Sequence, residues 1–305
     1  MDPMQRLFLM ATYEALEKAG QAPYGELPQG GRRVAAFFGQ TADDQKEINN
    51  NEGTDIYYVP GVARAFFPGR INHHFKWTGP SFSVDSACAS SCSAVLLASS
   101  ELNAGTCDMA VVGGGSILSS PRPYSGLSKG GFLSSTGGCK TFHADADGYC
   151  RGEGIGVVVL KRLEDAQQSN DNICAVIRAG ARNANAGAVS ITHPDSGAQE
   201  RLYRQILQQG CLQPNDISYV EFHGTATQAG DTAEMTSVAN VLGKDRSSGL
   251  PPLYVGSMKA NLGHGEAVSG TFPTINTGTL ADPDSPCAGR RCDRTHQVLP
   301  HASKG

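Results

Sequence analysis

Residues 83–97 read SVDSACASSCSAVLL, and this stretch decides the fold. Its first part continues an alternation in which Phe82 and Val84 are apolar and their neighbours polar, which predicts a short strand. From Ala89 onward Ala, Ser and Leu dominate, and neither Gly nor Pro occurs before Gly105, which predicts a helix. Cys88 therefore lies where a strand ends and a helix begins.

The position of Cys88 favours a reactive thiol. The first backbone N–H groups of a helix have no intrahelical partners, and the positive end of the helix dipole points at this place. A thiol there can lose its proton more easily, and the thiolate is the nucleophilic form. The alternative is a small buried residue without a chemical role, as most free cysteines are.

The composition is that of an ordinary globular protein. The chain has 305 residues, 39% hydrophobic and 18% charged, enough for a large core or two fused half-domains. The formal net charge of -4 gives no basis for nucleic-acid binding. No apolar run has the length of a membrane-spanning helix, and the N-terminus has no signal-peptide pattern. We therefore expect a cytoplasmic protein without membrane contact.

The cysteines give no sign of a metal or disulfide framework. All nine are scattered and none forms a C-x-x-C pair, so we expect free thiols and no metal site. Cys92 lies one helical turn after Cys88 and is either a packing residue or a redox partner.

Two further patterns have alternative interpretations. The triplet Gly113–Gly115 ends a predicted strand, and close packing of backbone against backbone is the alternative to a phosphate-binding loop. Asp145 and Asp147 hint at a calcium loop, but the remaining ligands are missing, which favours a structural turn.

Strands and helices alternate along the chain. Strands are predicted at residues 33–39, 108–115, 154–160, 173–179, 217–222 and 253–257, and helices at 3–20, 196–209 and 231–242. In the last helix, Asp231 is the predicted N-cap and Glu234 completes a capping box. This alternation predicts an α/β layered fold with mostly parallel strands.

Three side chains with chemical potential follow predicted strands. Cys88, His223 and His264 each lie just past a strand's carboxyl end, where ligands bind in open α/β sheets. We therefore expect them to meet at one end of a shared sheet. Residues 271–305 have neither helix nor strand periodicity and are rich in Pro, Gly and charge, which predicts a disordered or badly packed tail.

Three motifs together resemble those of β-ketoacyl synthases. Residues 84–91 (VDSACASS) resemble the nucleophile motif of that family, residues 221–227 (EFHGTAT) its first histidine motif, and residues 259–267 (KANLGHGEA) its second. Residues 142–154 are also similar to a stretch of these domains. The motifs stand in the family's order, and the likeness runs from residue 1 to about 270.

The resemblance looks closest to the ketosynthase domain of fungal iterative type I polyketide synthases. Residues 67–72 (FPGRIN) and 227–231 (TQAGD) point to the non-reducing branch, which makes aromatic products. The implied fold is thiolase-like, with αβαβα layers. We expect it to be incomplete: residues 1–270 form a partial domain that lacks the family's N-terminal strand, and 271–305 form a non-family tail.

The resemblance implies a decarboxylative Claisen condensation. Cys88 would take the growing acyl chain, and its backbone N–H would be one oxyanion donor. His223 and His264 would hold a malonyl thioester, carried on an acyl carrier protein, and stabilise its enolate. Lys259 would orient the His264 loop, with Glu266 as its partner.

The remaining implied features concern the carrier and the assembly. Thr225 and Thr227 would hydrogen-bond the phosphopantetheine arm of the carrier, and Asn261 is a supporting residue of the second histidine motif. No cofactor is bound directly, because phosphopantetheine belongs to the carrier partner. The intact enzymes of this family pair as homodimers.

Departures from the family pattern limit these expectations. Ala226 replaces the usual glycine of the first histidine motif, and a positive φ there would cost alanine about 1 kcal/mol. Because parts of the sheet are missing, we expect a fragment that is poorly stable and inactive alone.

Three other functions remain as alternatives. The first is a non-catalytic truncated module that only packs against a partner ketosynthase. The second is a thiolase-fold acyltransferase that condenses acyl-CoA without a carrier. The third is a Cys–His hydrolase, which would leave His264 and Lys259 without a role.

Overall fold

The structure, a computed structural model, describes residues 1–21, 31–244, 246, 249, 251–270 and 296–299. The α-helices are α1 (Pro3–Lys18), α2 (Asp44–Glu52), α3 (Tyr58–Val62), α4 (Phe66–Phe75), α5 (Ser90–Ala104), α6 (Arg122–Lys129), α7 (Leu163–Gln168), α8 (Ser196–Gln209), α9 (Gln228–Val238) and α10 (Lys259–Leu262). The strands are β1 (Val34–Gly39), β2 (Ser81–Val84), β3 (Met109–Ser116), β4 (Gly154–Arg162), β5 (Ala175–Ile177), β6 (Tyr219–Glu221), β7 (Tyr254–Gly256) and β8 (His296–Leu299).

The described strands form two sheets. Six strands form one sheet in the order β2-β1-β3-β4-β8-β5, and β6 pairs with β7 in a second sheet. Pairings β1–β2, β1–β3 and β6–β7 are parallel, whereas β3–β4, β4–β8 and β5–β8 are antiparallel. The expectation of mostly parallel strands is therefore wrong. The reason lies in the excursion between β3 and β4, whose helix α6 buries none of its residues and so is not the crossover that parallel strands need.

Helices cover both faces of the six-stranded sheet. Along β1, Val34, Ala36 and Phe38 pack with α1 and α4, while Ala35 and Phe37 pack with α5 on the other face. This is the two-residue alternation of a strand, and here both faces are buried because each meets a helical layer. The layered α/β arrangement predicted from the sequence is confirmed.

Two segments in the second half of the chain differ from what the sequence predicts. The predicted buried strand at residues 173–179 is only the short β5, in which Ala175 and Val176 are exposed. Of the predicted disordered tail, the structure describes residues 296–299, which form β8 between β4 and β5. The rest of 271–305 lies outside the described residues, and its character stays a prediction.

The glycine triplet of β3 serves close packing. A Cβ on Gly114 would lie 2.5 Å from the Ala267 carbonyl oxygen, 2.8 Å from the Ser91 Cβ and 2.9 Å from the Val268 Cα. The segment after His264 therefore presses directly on the strand backbone, and the packing interpretation of the triplet is favoured over a phosphate loop.

Among the helices that the structure describes, none has both the length and the apolar character that crossing a bilayer requires.

Gly114→Ala is expected to destabilise the protein by about 2–3 kcal/mol, because backbone atoms cannot retreat from the new methyl group. Gly126→Ala is the matched control: Gly126 lies inside α6 with no atom within 4 Å of an added Cβ. It should be neutral or stabilising by up to about 1 kcal/mol. Urea unfolding followed by circular dichroism measures both, and equal midpoints for the two variants would contradict the packing role.

Candidate active site

A strained turn presents Cys88 between β2 and α5. Cys88 lies in a single turn of 3-10 helix, Ala87–Ala89, and Ala87 has a φ of 51°, in the left-handed region. The Asp85 Oδ1 accepts the Ala87 N–H at 3.1 Å, and the Ser90 Oγ accepts the Ser86 N–H at 2.9 Å. These side-chain acceptors hold a conformation that alanine seldom adopts, and such strain is typical of functional sites.

His264 lies against the Cys88 thiol. The His264 Nε2 is 3.1 Å from the Cys88 Sγ, and the residue is fully buried. Its backbone N–H donates to the Cys150 carbonyl at 2.7 Å, and its carbonyl accepts the Gly152 N–H at 2.9 Å. The Tyr149 ring packs on the imidazole with centroids 4.7 Å apart. The position of His264 is thus fixed by the strand-like segment before β4.

The hydrogen bonds of His264 settle its tautomer. The Glu266 backbone N–H donates to the His264 Nδ1 at 2.9 Å, and the Ser269 Oγ lies 2.9 Å from the same nitrogen. A backbone N–H can only donate, so Nδ1 must be the acceptor and the neutral ring carries its proton on Nε2. The His264 N–H therefore points at the Cys88 sulfur and at any group that binds beside it.

His223, which follows β6 of the two-stranded sheet, is the third side chain of the centre. Its ring centroid lies 5.4 Å from that of His264, with the rings nearly perpendicular. The Cys88 sulfur and one ring nitrogen of each histidine lie within 4.8 Å of one another. The expectation that the three side chains meet is confirmed, but they do not share a sheet. Cys88 follows the six-stranded sheet, whereas His223 and His264 follow β6 and β7.

A carboxylate on α9 holds the His223 loop. The two Glu234 oxygens accept the N–H groups of His223 and Gly224, each at 2.8 Å. The predicted capping box is wrong, because α9 begins at Gln228 rather than after Asp231. The helix has four extra residues at its start, so neither acidic side chain caps its end. Glu234 binds the His223 loop, and the Asp231 Oδ2 accepts the Phe142 N–H at 2.7 Å.

The expected pairing of Lys259 with Glu266 is also wrong. The Glu266 carboxylate binds Arg151, with the Arg151 Nε at 2.5 Å and the Nη2 at 3.0 Å. The carboxylates whose charge acts on the buried Lys259 are those of Glu234 and Glu221. The physical reason is that Glu266 follows a sharp turn after His264, which carries its side chain towards the segment before β4.

The remaining predicted site residues are placed as follows. The hydroxyls of Thr225 and Thr227 lie 3.3 Å apart, two and four residues after His223, and both residues are half-buried. Ala226 between them has a φ of 53°, so the strain expected of alanine at this position is present. Asn261 lies on α10 with Lys259, but it is exposed.

The electrostatics of the centre favour neutral groups. The pKa of His264 is lowered to about 2, and burial is the largest cause. The neighbouring His223, Lys259 and Arg151 lower it further, in that order. Burial and Lys259 also lower the pKa of His223, although water reaches the exposed part of that residue and weakens the effect. Both imidazoles are therefore uncharged at neutral pH.

The Cys88 thiol is harder to ionise than the sequence indicated. Burial, and then the charge of Glu266, raise its pKa, while Lys259 and the backbone N–H act in the opposite direction. The expectation that the helix end makes the thiolate readily available is wrong, because removing the sulfur from water outweighs the dipole. Cys88 rests as a thiol.

The arrangement suits proton donation better than metal binding. One sulfur and two imidazole nitrogens are a possible donor set for zinc. However, the His264 nitrogen that faces the sulfur carries the proton and has no free lone pair, since Nδ1 is held as acceptor. The other suggested metal loop is a turn, in which the Asp147 carboxylate binds Ser134, Ser135 and Lys140.

Sequence reasoning missed the roles of Arg151 and Tyr149. Both lie in the stretch 142–154, which was recognised as family-like without a role for its residues. An arginine between glycine and cysteine in a loop carries no local signal for a partner more than a hundred positions away. Only the fold brings this segment against His264.

Comparisons with known proteins identify the family of the chain. The family profile "Beta-ketoacyl synthase, N-terminal domain" matches residues 1–166, and "Beta-ketoacyl synthase, C-terminal domain" matches residues 174–280. A non-reducing polyketide synthase of Aspergillus ustus is 57% identical over 91% of this chain and 13% of its own length. The orsellinic acid synthase of Emericella nidulans is 52% identical over 88% of this chain and 13% of its own length.

Solved structures show the same fold. A ketosynthase from module 6 of the bacillaene synthase of Bacillus subtilis has a TM-score of 0.78 at 32% identity, covering 88% of this chain and 46% of that one. An oxazolomycin ketosynthase domain of Streptomyces albus has a TM-score of 0.79 at 27% identity, covering 100% of this chain and 61% of that one.

The chain therefore belongs to the β-ketoacyl synthase family of condensing acyltransferases, and its thiolase-like fold is confirmed. Within that family it is similar to the ketosynthase domains of fungal non-reducing polyketide synthases, as the sequence motifs indicated. It spans about an eighth of the length of these curated relatives.

Alkylation of Cys88 by iodoacetamide is expected to accelerate with pH through an inflection higher than that of an ordinary exposed thiol, because burial raises the pKa of the Cys88 thiol. Peptide mass mapping over a pH series measures the rate at Cys88, with the exposed Cys174 in the same digest as an internal comparison. Faster alkylation of Cys88 than of Cys174 at pH 7 would contradict a buried neutral thiol.

Acidification below pH 6.5 is expected to destabilise the protein through His264. In the unfolded chain His264 binds a proton with a pKa near 6.5, whereas in the folded protein its pKa is about 2. The free energy of unfolding therefore decreases as the pH is lowered from 6.5 towards 2. At pH 5 the loss from this one group is about 2 kcal/mol.

Urea midpoints at several pH values test this effect. His264→Gln removes the titrating group and should flatten the dependence between pH 6.5 and 5 relative to the unmodified protein. His193→Gln, at an exposed histidine, is the control and should retain the full dependence. An unchanged slope in His264→Gln would contradict the assignment.

Proposed function

We propose that this chain carries out the decarboxylative Claisen condensation of an acyl group on Cys88 with a malonyl thioester. The supporting observation is the convergence of one thiol and two neutral imidazoles within 4.8 Å, with the His264 N–H aimed at the sulfur. A nucleophile that can hold an acyl group and N–H donors for an enolate oxygen are the two requirements of that reaction.

The first step is acyl transfer to Cys88. The sulfur attacks the carbonyl carbon of an incoming acyl thioester, a new carbon–sulfur bond forms, and the carrier thiol leaves with the proton that Cys88 gives up. The His264 Nε2–H stabilises the sulfur while its charge develops, and the Cys88 backbone N–H is proposed to receive the oxyanion. His264 does not act as a base here, because its Nδ1 is already an acceptor.

The second step forms the carbon–carbon bond. A malonyl thioester loses carbon dioxide, and the electron pair of the broken bond becomes an enolate whose oxygen accepts N–H bonds from His223 and His264. The enolate carbon then attacks the acyl carbonyl on Cys88, and the thiolate leaves and recovers a proton. Neutral imidazoles suit this role, since they donate without protonating the nucleophilic carbon.

The malonyl group would arrive on the phosphopantetheine arm of an acyl carrier protein. Thr225 and Thr227, with hydroxyls 3.3 Å apart beside the His223 loop, are proposed to bind that arm. This chain would bind no cofactor directly. Lys259 adds positive charge near the centre and, under the attraction of the Glu234 and Glu221 charges, is proposed to orient the His264 loop.

A second copy of the chain is proposed to pair at β2. This strand is an edge of the six-stranded sheet, and Phe82 on it is 52% exposed, which fits extension of the sheet by another strand. The cytoplasmic location, and the expectation that the fragment is poorly stable and inactive alone, stay predictions.

Incubation with acyl and malonyl thioesters of N-acetylcysteamine tests the reaction. Intact mass spectrometry should show one acyl group on the protein and none on Cys88→Ala. His223→Ala should still be acylated but release carbon dioxide from the malonyl thioester at least about a hundredfold more slowly, since an enolate donor is lost. His193→Gln should match the unmodified protein.

The outcomes separate the competing functions. Absence of acylation at Cys88 in a folded sample would favour a non-catalytic module. Rapid hydrolysis of the acyl-enzyme without decarboxylation would favour a Cys–His hydrolase. Condensation of acetyl thioesters without loss of carbon dioxide would favour a thiolase-type acyltransferase.

A further inference from the structure

A buried ion pair stands behind His264, on the side away from the thiol. Arg151 is 6% exposed and Glu266 is 9% exposed, and two guanidinium nitrogens contact the two carboxylate oxygens. The Ser116 Oγ lies 3.4 Å from the Glu266 Oε2, and the Arg151 guanidinium stacks 4.6 Å from the Tyr124 ring centroid. The carboxylate and the Tyr124 ring hold the Arg151 guanidinium, although its buried Nη1 has no partner among the described residues. A buried pair with two parallel hydrogen bonds favours one conformation of both side chains.

The backbone of Glu266 is strained. Its φ is 47°, in the left-handed region that non-glycine residues seldom enter. That conformation is unfavourable for a residue with a side chain and persists only when surrounding contacts determine it. The planar fork of Arg151, gripping the side chain of the same residue, is such a contact.

The strained backbone of Glu266 forms a hydrogen bond with the His264 ring. The left-handed turn points the Glu266 N–H at the His264 Nδ1, 2.9 Å away, and that bond keeps the ring proton on Nε2. The main chain of Arg151 also lies beside His264 as a parallel bridge, between the two backbone hydrogen bonds that fix the histidine. One residue thus acts on both the imidazole's position and its tautomer.

We propose that Arg151 is a positioning residue which, by holding Glu266 in its left-handed turn, fixes the proton of His264 on the nitrogen that faces Cys88. Arg151 touches neither Cys88 nor either imidazole in this role. The inference rests on the proposed function only in treating His264 as an N–H donor, and its test does not require catalysis.

Charge alone is the competing explanation. The titratable and charged groups that act on His264 are those of His223, Lys259, Arg151, Cys88, Tyr149 and Glu266. The positive charge of Arg151 by itself disfavours a second proton on His264. Experiments must therefore separate the fork geometry of Arg151 from its charge.

Arg151→Lys separates them, because lysine keeps the charge and loses the bidentate fork. Histidine-selective 15N labelling and two-bond 1H–15N correlation spectra report the tautomer, with His264 assigned by its loss in His264→Gln. The unmodified protein should show His264 protonated on Nε2. Arg151→Lys should lose that single tautomer, and retention of it in a folded Arg151→Lys sample would overturn the proposal.

Two double variants keep the test decisive if Arg151→Lys does not fold. Arg151→Gln/Glu266→Gly and Arg151→Gln/Glu266→Ala both remove the whole ion pair, so neither leaves a buried charge unpaired. They differ only by one methyl group at a position with positive φ, which glycine adopts without strain. The glycine form should keep the Nε2 tautomer and the alanine form should lose it. Identical spectra for the two would overturn the proposal.

The pH dependence of Cys88 alkylation gives a second readout. Once the Glu266 N–H no longer donates to Nδ1, that nitrogen can carry the ring proton and donate it to the Ser269 Oγ. The Nε2 can then take the proton of the Cys88 thiol, and a thiolate beside an imidazolium reacts at lower pH. The inflection should therefore move down by at least about one pH unit in Arg151→Lys and in the alanine double variant. It should stay in place in the glycine double variant, and the reverse pattern would overturn the proposal.

A failure of the proposed condensation would be distinguishable from a failure of this inference. If neither the unmodified protein nor any variant decarboxylates malonyl thioesters, the condensation proposal fails. The comparison of His264 tautomers remains valid in that case. If decarboxylation occurs but the tautomer is indifferent to Arg151, only the present inference fails.

Discussion

The geometry of the site depends on three backbone turns with positive φ, which hydrogen bonds and ion pairs of neighbouring side chains stabilise. Ala87 precedes Cys88 and has a φ of 51°, Ala226 lies three residues after His223 with a φ of 53°, and Glu266 lies two residues after His264 with a φ of 47°. Each such turn costs on the order of 1 kcal/mol or more. The turns persist because surrounding groups, among them Asp85 and Arg151, determine the backbone, and each turn aims a group at one small volume.

Burial of the side chains explains why the centre is neutral. Burial makes charge costly for His264, so the imidazole stays a donor without a charge. The buried carboxylates near the centre are occupied: Glu234 binds two backbone N–H groups and Glu266 binds Arg151. The negative charges of both carboxylates are thus compensated by hydrogen-bond donors, and the N–H groups that face the proposed enolate need not reorganise.

Local sequence patterns predicted the elements better than their arrangement. The helix Ser196–Gln209 was predicted to the residue, because its apolar positions recur at helical spacing and no tertiary contact overrides them. The strand at 173–179 was overestimated, since an apolar run in a loop next to a sheet edge looks like a buried strand. Strand direction was mistaken because alternation of strands and helices does not show which helix is a crossover.

What the sequence determined by itself was that Cys88, His223 and His264 would lie close together, because each follows a predicted strand within a few residues. Only the tertiary structure decided which nitrogen of His264 carries the proton and that the Glu266 carboxylate pairs with Arg151 rather than with Lys259. The Arg151–Glu266 pair joins segments 115 positions apart, and hydrogen-bond direction depends on coordinates that no local pattern records.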